Sequence, residues 1–230
     1  MATIDLLKED SMVRNFKKGG MRMKRLSKVG LFLLAICLVI VSMSTPMAKG
    51  TDVPTSHWAY DPIKEAMGKG IVSGYPDGTF RPNNEVTFAE FIKMAAVVSL
   101  GQDPGPSKIG NWFDGYKATA ESQGLLDGLT ISTADMSKAI SRYHVALILA
   151  NSIPYKEITA RDKSSIMSSF TDLKNMAKTD SLAIVVKEEL MAGYPDGTFR
   201  PANFITRAEA VAVILRMMQK MESDETACPP

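Results

Sequence analysis

The nine residues Gly74-Tyr75-Pro76-Asp77-Gly78-Thr79-Phe80-Arg81-Pro82 recur unchanged as Gly193-Tyr194-Pro195-Asp196-Gly197-Thr198-Phe199-Arg200-Pro201, 119 residues further on. Chance repetition of nine residues in a chain of 230 is negligible, so the chain is built from repeated units. A worn copy stands between the two. Trp58 lies 16 residues before Gly74, and Trp112 lies 16 before Gly128. Gly70-Ile71-Val72-Ser73-Gly74 is matched by Gly124-Leu125-Leu126-Asp127-Gly128. Thirteen residues after Gly74, Gly128 and Gly193 comes a hydroxyl residue that opens an apolar run: Thr87, Ser141 and Thr206. Three units of equal internal length constrain the fold more than any other feature.

The chemistry of the unit is local. Tyr-Pro-Asp-Gly suits a type I turn, with Pro presetting φ and Gly tolerant at the end. The second proline, Pro82 or Pro201, keeps the chain extended just afterwards. A helix then begins. Thr87-Phe88-Ala89-Glu90 and Thr206-Arg207-Ala208-Glu209 are capping boxes, and Val86 with Phe91 and Ile205 with Ala210 stand where a hydrophobic staple lies. The middle unit keeps Ser141 but has His144 where the glutamate belongs, which predicts a weaker cap. Ile92, Met94, Ala95 and Val98, then Val145, Ile148 and Leu149, then Val211, Ile214, Leu215 and Met218 form apolar stripes at helical spacing. One such unit cannot bury its own stripe, so neighbours must stack.

Each unit reads as helix, loop, helix. Second helices are predicted over 87–100, 141–151 and 206–221. First helices are predicted near 113–123 and 179–190 in the later units. In the first unit Ser56 is a plausible cap for a helix through His57, Trp58, Ile63 and Met67, although Pro62 suits a start after Asp61. Residues 101–110 form a Pro/Gly linker, and residues 151–170 a polar connector left without assigned structure.

A helix, then GYPDGTFRP, then a helix opening like Ile205-Thr206-Arg207-Ala208-Glu209 or Val86-Thr87-Phe88-Ala89-Glu90, resembles the S-layer homology (SLH) domain. The resemblance covers roughly residues 51–222, strongly in the outer units and weakly in the middle one. It implies an all-α fold: three helix-loop-helix repeats in a pseudo-threefold body, with the second helices as a central bundle and the loops as prongs. The domain reading is an N-terminal extension and signal peptide over 1–50, repeats over 51–101, 111–151 and 170–222, and a disordered tail over 223–230.

Arg22, Lys24, Arg25 and Lys28 precede an almost wholly apolar run from Val29 to Met43, and small residues follow at Ser42, Ser44, Ala48 and Gly50. This is the pattern of a secretory signal peptide, with an uncleaved anchor as the alternative. Residues 1–50 hold nine Lys/Arg and three Asp/Glu, which leaves 18 basic (27 less 9) and 22 acidic (25 less 3) residues, a net charge of −4, for the rest. The basic excess of the whole chain thus belongs to the export segment, and no basic stripe argues for nucleic acid. Of the two cysteines, Cys37 lies in the export segment and Cys228 near the end, so a processed chain has no internal disulfide.

Enzymatic chemistry finds little support. His57 and His144 stand in different units without partners at metal or triad spacing. An EF-hand reading from Asp77 fails, because positions 3, 5 and 12 are Thr79, Arg81 and Phe88. No cofactor and no metal is expected.

The resemblance instead implies non-covalent anchoring to a cell wall through a secondary wall polysaccharide bearing a pyruvate ketal. A receptor for such a sugar needs an arginine fork for the carboxylate and an aromatic face for the ring. The candidates are Arg207 and Arg142 at the TRAE position, Trp58 and Trp112 at the first-helix aromatic position, and Asp52 and Asp172 at the unit starts. Arg81 and Arg200 read as loop braces or polymer contacts, and Glu90 and Glu209 as caps first and ligand contacts second. The plain alternatives are a solvated first-turn residue for Arg207 and a packing anchor for each tryptophan. Phe88 replaces the arginine in the first unit, so one or two working grooves are expected rather than three. The expected location is the exported cell surface, as a bare triad or a truncated anchor. A structural module that pairs with an envelope protein is the rival reading.

Overall fold

The computed structural model describes residues 50–153, 157–173, 176 and 179–227. The predicted signal peptide lies outside the described residues. Among them there are seven helices and no strand. The protein is all-α. In chain order the helices are α1 (Tyr60–Gly68), α2 (Phe88–Leu100), α3 (Asp114–Ser122), α4 (Arg142–Asn151), α5 (Ala160–Ser168), α6 (Asp180–Lys187) and α7 (Arg207–Ala227).

The second helix of each unit starts where its cap dictates. The Thr87 hydroxyl accepts the Glu90 amide at 3.2 Å, and Glu90 Oε2 accepts the Thr87 amide at 2.9 Å. Thr206 and Glu209 repeat this at 3.3 and 3.0 Å. In the middle unit Ser141 caps the His144 amide at 3.4 Å, but His144 Nδ1 meets the Ser141 hydroxyl at 2.7 Å and does not return to the cap amide. One orphan donor of the box is therefore left to other partners.

The first helices begin later than the sequence suggests. α1 starts at Tyr60, and Ala59 rather than Ser56 is its cap residue. His57 Nδ1 accepts the Ala59 amide at 3.1 Å, which fixes the entering turn. Pro62 sits in the first turn, where no intrahelical N–H is needed. Trp58 and Trp112 consequently lie in the turns ahead of α1 and α3, not on the helices.

Two further differences concern the connector and the tail. Residues 160–168 form α5, capped by the Thr159 hydroxyl on the Asp162 amide at 3.1 Å. α5 packs on α6 and is tied to it by the ion pairs Lys163–Asp180 and Lys187–Asp162. α7 runs to Ala227, past the expected disordered boundary, with Lys220 bridging Glu188 at 2.8 Å and Asp224 at 3.4 Å. The second of these is a same-face i,i+4 pair that supports the added turn.

The units interlock in a cycle. α2 packs on α3, α4 on α6, and α7 on α1, so each second helix covers the first helix of another unit. α2 also touches α4 and α7. Just before the second helices, three short segments bond in a ring. The Val86 amide donates to the Ile205 carbonyl at 3.0 Å, Ile205 to Ile140 at 3.2 Å, and Ile140 to Val86 at 2.8 Å. Val86, Ile140 and Ile205 are fully buried at this ring. Their paired backbone groups are satisfied without a sheet.

Candidate functional site

Each outer loop is a closed turn hung from its own unit. The Gly78 amide donates to the Tyr75 carbonyl at 2.9 Å, and the Tyr75 amide to the Thr79 carbonyl at 2.8 Å. The copies at Gly197 and Tyr194 measure 3.0 and 2.8 Å. Asp77 Oδ1 accepts the Thr79 amide and hydroxyl at 3.0 and 2.6 Å, and Asp196 does the same for Thr198 at 3.1 and 2.6 Å. The backbone doubles back so closely that a Cβ on Gly74 would stand 2.9 Å from the Thr79 carbonyl oxygen, and one on Gly193 2.8 Å from that of Thr198. Only glycine fits there.

Asp52 and Asp172 brace these loops from the unit start. Asp52 accepts the Phe80 and Arg81 amides at 2.6 and 2.7 Å, and Asp172 accepts those of Phe199 and Arg200 at 2.9 and 2.7 Å. Burial raises the Asp52 pKa, but the two amides outweigh it and hold the carboxyl below its ordinary value.

Arg81 and Arg200 fold back over their own loops, with φ of 59° and 57°. Each bonds the turn aspartate, at 2.8 Å for Arg81–Asp77 and 2.6 Å for Arg200–Asp196. Each guanidinium lies 4.0 Å from a ring centroid, over Tyr75 and Tyr194 respectively. The Asp196 carboxyl is lowered to about 2, first by the Thr198 hydroxyl and then by Arg200.

Arg207 and Arg142 are neither solvated nor attached to their own loops. They are 5% and 6% exposed and reach across to another unit. Arg207 Nε donates to the Phe80 carbonyl at 2.9 Å, Nη2 to the Ser73 carbonyl at 3.0 Å, and Nη1 to Glu90 Oε1 at 3.2 Å. Its guanidinium lies 4.9 Å from the Tyr75 centroid and 4.7 Å from that of Phe80. Arg142 repeats the grip on the third unit, with Nε on the Phe199 carbonyl at 2.9 Å and Nη2 on that of Ala192 at 2.8 Å. It lies 4.9 Å from the centroids of both Tyr194 and Phe199. Burial lowers its pKa, although it stays an arginine in charge. Each loop tyrosine thus has two guanidinium groups at its ring, one from its own unit and one from another.

Phe88 occupies the equivalent place against the middle unit, which has no nonapeptide. Its amide donates to the Lys138 carbonyl at 3.0 Å, as Arg207 does to Asn84 and Arg142 to Asn203, both at 2.8 Å. Its ring instead meets His144 edge-on at 5.0 Å. Arginine is missing at the one junction whose loop lacks the nonapeptide. An open cavity of about 710 Å³ lies there, with Phe88, Leu129, Ile131, Tyr143, Leu147 and Phe204 in its wall.

A groove lies at the first loop. A cavity of about 220 Å³ is lined by Tyr75, Glu90, Lys93, Trp112 and Arg207, together with the backbone of Ser73 and Gly74. It draws side chains from all three units. Trp112 is 45% exposed there, and Trp58 is 61% exposed at the turn ahead of α1, so neither is a core anchor. Glu90 is occupied on both oxygens, Oε2 by the cap and Oε1 by Arg207. Glu209 holds the matching cap in the third unit. The sequence reading missed Tyr75, Tyr194 and Lys93 as site residues. The tyrosines were visible inside the exact repeat, and Lys93 falls three residues after Glu90, on the same helix face.

These features define a repeat protein whose outer loops are clamped by arginines from other units, with grooves beside the clamps. The S-layer homology domain model matches residues 51–92 and 169–211, and the chain carries S-layer homology domains there. Cell surface glycoprotein 1 of Acetivibrio thermocellus is 30% identical over 201 residues, covering 74% of this chain and 8% of that protein. The S-layer protein of Bacillus thuringiensis subsp. finitimus is 28% identical over 172 residues, 72% of this chain and 21% of that protein. The cellulosome-anchoring protein of Acetivibrio thermocellus is 26% identical over 189 residues, 74% of this chain and 41% of that protein. The chain therefore spans less than half the length of each of these relatives.

Proposed function

We propose that this chain is an exported, non-catalytic anchor that binds a pyruvylated secondary cell wall polysaccharide in the grooves between its units. The units are taken to form a pseudo-threefold body, which the cyclic helix packing and the three-way backbone ring support. The observation that carries the reading is the groove at the first loop. There a half-exposed tryptophan, a tyrosine held between two guanidinium groups and a lysine converge on one cleft. An aromatic face, cationic donors and a rigid turn suit a carboxylate-bearing sugar. Relatives named for the cell surface, the S-layer and cellulosome anchoring support the same reading.

The protein-partner reading draws on one specific feature, the apolar wall at the middle unit with Phe204 half exposed. It would add a contact without replacing the glycan grooves.

The chain's two tryptophans both stand at loop grooves or unit starts, so their fluorescence reports binding directly. Titration with isolated wall polysaccharide is expected to change the emission saturably. Trp112→Ala is expected to weaken binding roughly fivefold, a typical worth for one aromatic face. Saturable binding with an unaltered constant in that variant would remove Trp112 from the site, and no emission change with no binding would count against the glycan reading.

A further inference from the structure

The two arginine-clamped loops are built alike but differ in the charge beside them. In the groove at the first loop, Arg207 and Glu90 face each other at 3.2 Å and offset one another. Arg207 Nε and Nη2 go to loop carbonyls. Lys93 is the charge left over. Among the described residues its ammonium has no carboxylate partner, and it lies 5.5 Å from the centroid of the Tyr116 ring. It lines the same cavity as Trp112, Tyr75 and Gly74. The groove therefore carries an excess of one positive charge beside an aromatic face.

The third loop lacks this cation. Lys93 stands 19 residues after Gly74, and the residue 19 after Gly193 is Ala212. Arg142 there is buried and bonded to the carbonyls of Phe199 and Ala192. Glu209 is bonded to its cap. Nothing at the corresponding helix position supplies a free cation.

We infer that Lys93 is the specificity-determining residue of the first groove, pairing with the single carboxylate of an acidic saccharide, and that the third-loop groove does not select for that carboxylate. The inference rests on the glycan reading above and adds that the two grooves are unequal. A buried guanidinium bonded to loop carbonyls sets the loop's position, whereas a flexible ammonium at the groove wall can follow a ligand carboxylate. The charge-assisted contact gives the first groove preference for the acidic sugar over its neutral twin. The second groove accepts both alike.

The test uses the full chain and two probes, a monosaccharide bearing a pyruvate ketal and the same sugar without the ketal, with binding followed by calorimetry. Wild-type protein is expected to prefer the acidic sugar at one site, with affinity falling as salt rises. Lys93→Met keeps the stem over Tyr116 and removes the charge. It is expected to lose about tenfold or more of the affinity for the acidic sugar, with the neutral sugar unaffected. Lys93→Arg is expected to retain the preference. Ala212→Lys is expected to add a second site selective for the acidic sugar. Should Lys93→Met keep the full preference for the acidic sugar, the carboxylate is read by another group and the inference is overturned. Should wild-type protein bind neither probe while Trp112→Ala still weakens its binding to intact wall polysaccharide, the ligand is not this sugar acid and the inference fails alone. Should wild-type protein bind neither the probes nor the polysaccharide, the glycan reading fails with it.

Discussion

Arg207→Ala is expected to lower the stability of the protein by about 3 kcal/mol, the low end of the range for breaking one side of a buried ion pair, because Glu90 keeps some contact with water. The guanidinium is 5% exposed and holds two carbonyls and a carboxylate at once. Its loss leaves the Phe80 and Ser73 carbonyls without that donor and uncovers the faces of Tyr75 and Phe80. Lysine at this position restores little, since one ammonium cannot reproduce a planar fork that spans Ser73, Phe80 and Glu90. The urea midpoint should drop, and amide exchange should rise first in residues 74–81. An unchanged midpoint would mean that the clamp contributes nothing to the closure between the third and first units. The Phe88→Arg variant offers the converse. It places a guanidinium against a middle unit that has no nonapeptide loop to receive it, and it should destabilise rather than repair the junction.

The second large effect is expected at Phe199. This ring is fully buried, meets Phe170 edge-on at 5.7 Å, and lies under the Arg142 guanidinium at 4.9 Å. It is the peg that fixes the third loop to the core, as Phe80, also fully buried, fixes the first. Phe199→Ala should cost about 3–5 kcal/mol through lost burial and the cavity left behind. For a folded region of this size that corresponds to a melting temperature lower by roughly 10 °C. Phe204→Ala removes an identical side chain that is 50% exposed, and should change stability by no more than about 0.5 kcal/mol. Thermal melts by circular dichroism compare the two. Equal effects would contradict the peg role of the repeated phenylalanine.

The elements legible in the sequence were those specified by neighbours in the chain. The turn at Tyr75–Gly78, the boxes at Thr87–Glu90 and Thr206–Glu209, and the stripes of α2, α4 and α7 depend on contacts three or four residues apart. The direction of the clamps was not legible. Arg207 reaches Phe80 across 127 positions, and no local pattern says which loop a first-turn arginine will meet. The same holds for Trp58 and Trp112. Their spacing marked them as equivalent, but a turn fixed by His57 rather than a Ser56 cap decides that Trp58 precedes α1. Helix α5 carried a readable signal, Thr159 three residues before Asp162, yet its polar sequence hid it. None of its residues is fully buried, so its helicity draws on capping and on ion pairs with α6 rather than on a strong apolar stripe.

The absence of arginine at position 88 gains a physical account from the junctions. The arginines and the nonapeptide loops occur together, one clamp for each loop, and both are missing where Phe88 meets the middle unit. The expectation of fewer than three working grooves then follows from the loop as well as from Phe88.

In the proposed function, the grooves between units hold a wall polysaccharide. The most direct measurement is co-sedimentation of the purified full chain with protein-free cell wall, before and after mild acid strips the polysaccharide and its ketals. Retention on untreated wall and loss after acid are expected, with soluble polysaccharide competing for the bound protein. Equal retention before and after acid, or none on either preparation, would contradict the glycan reading and favour a protein partner at the envelope.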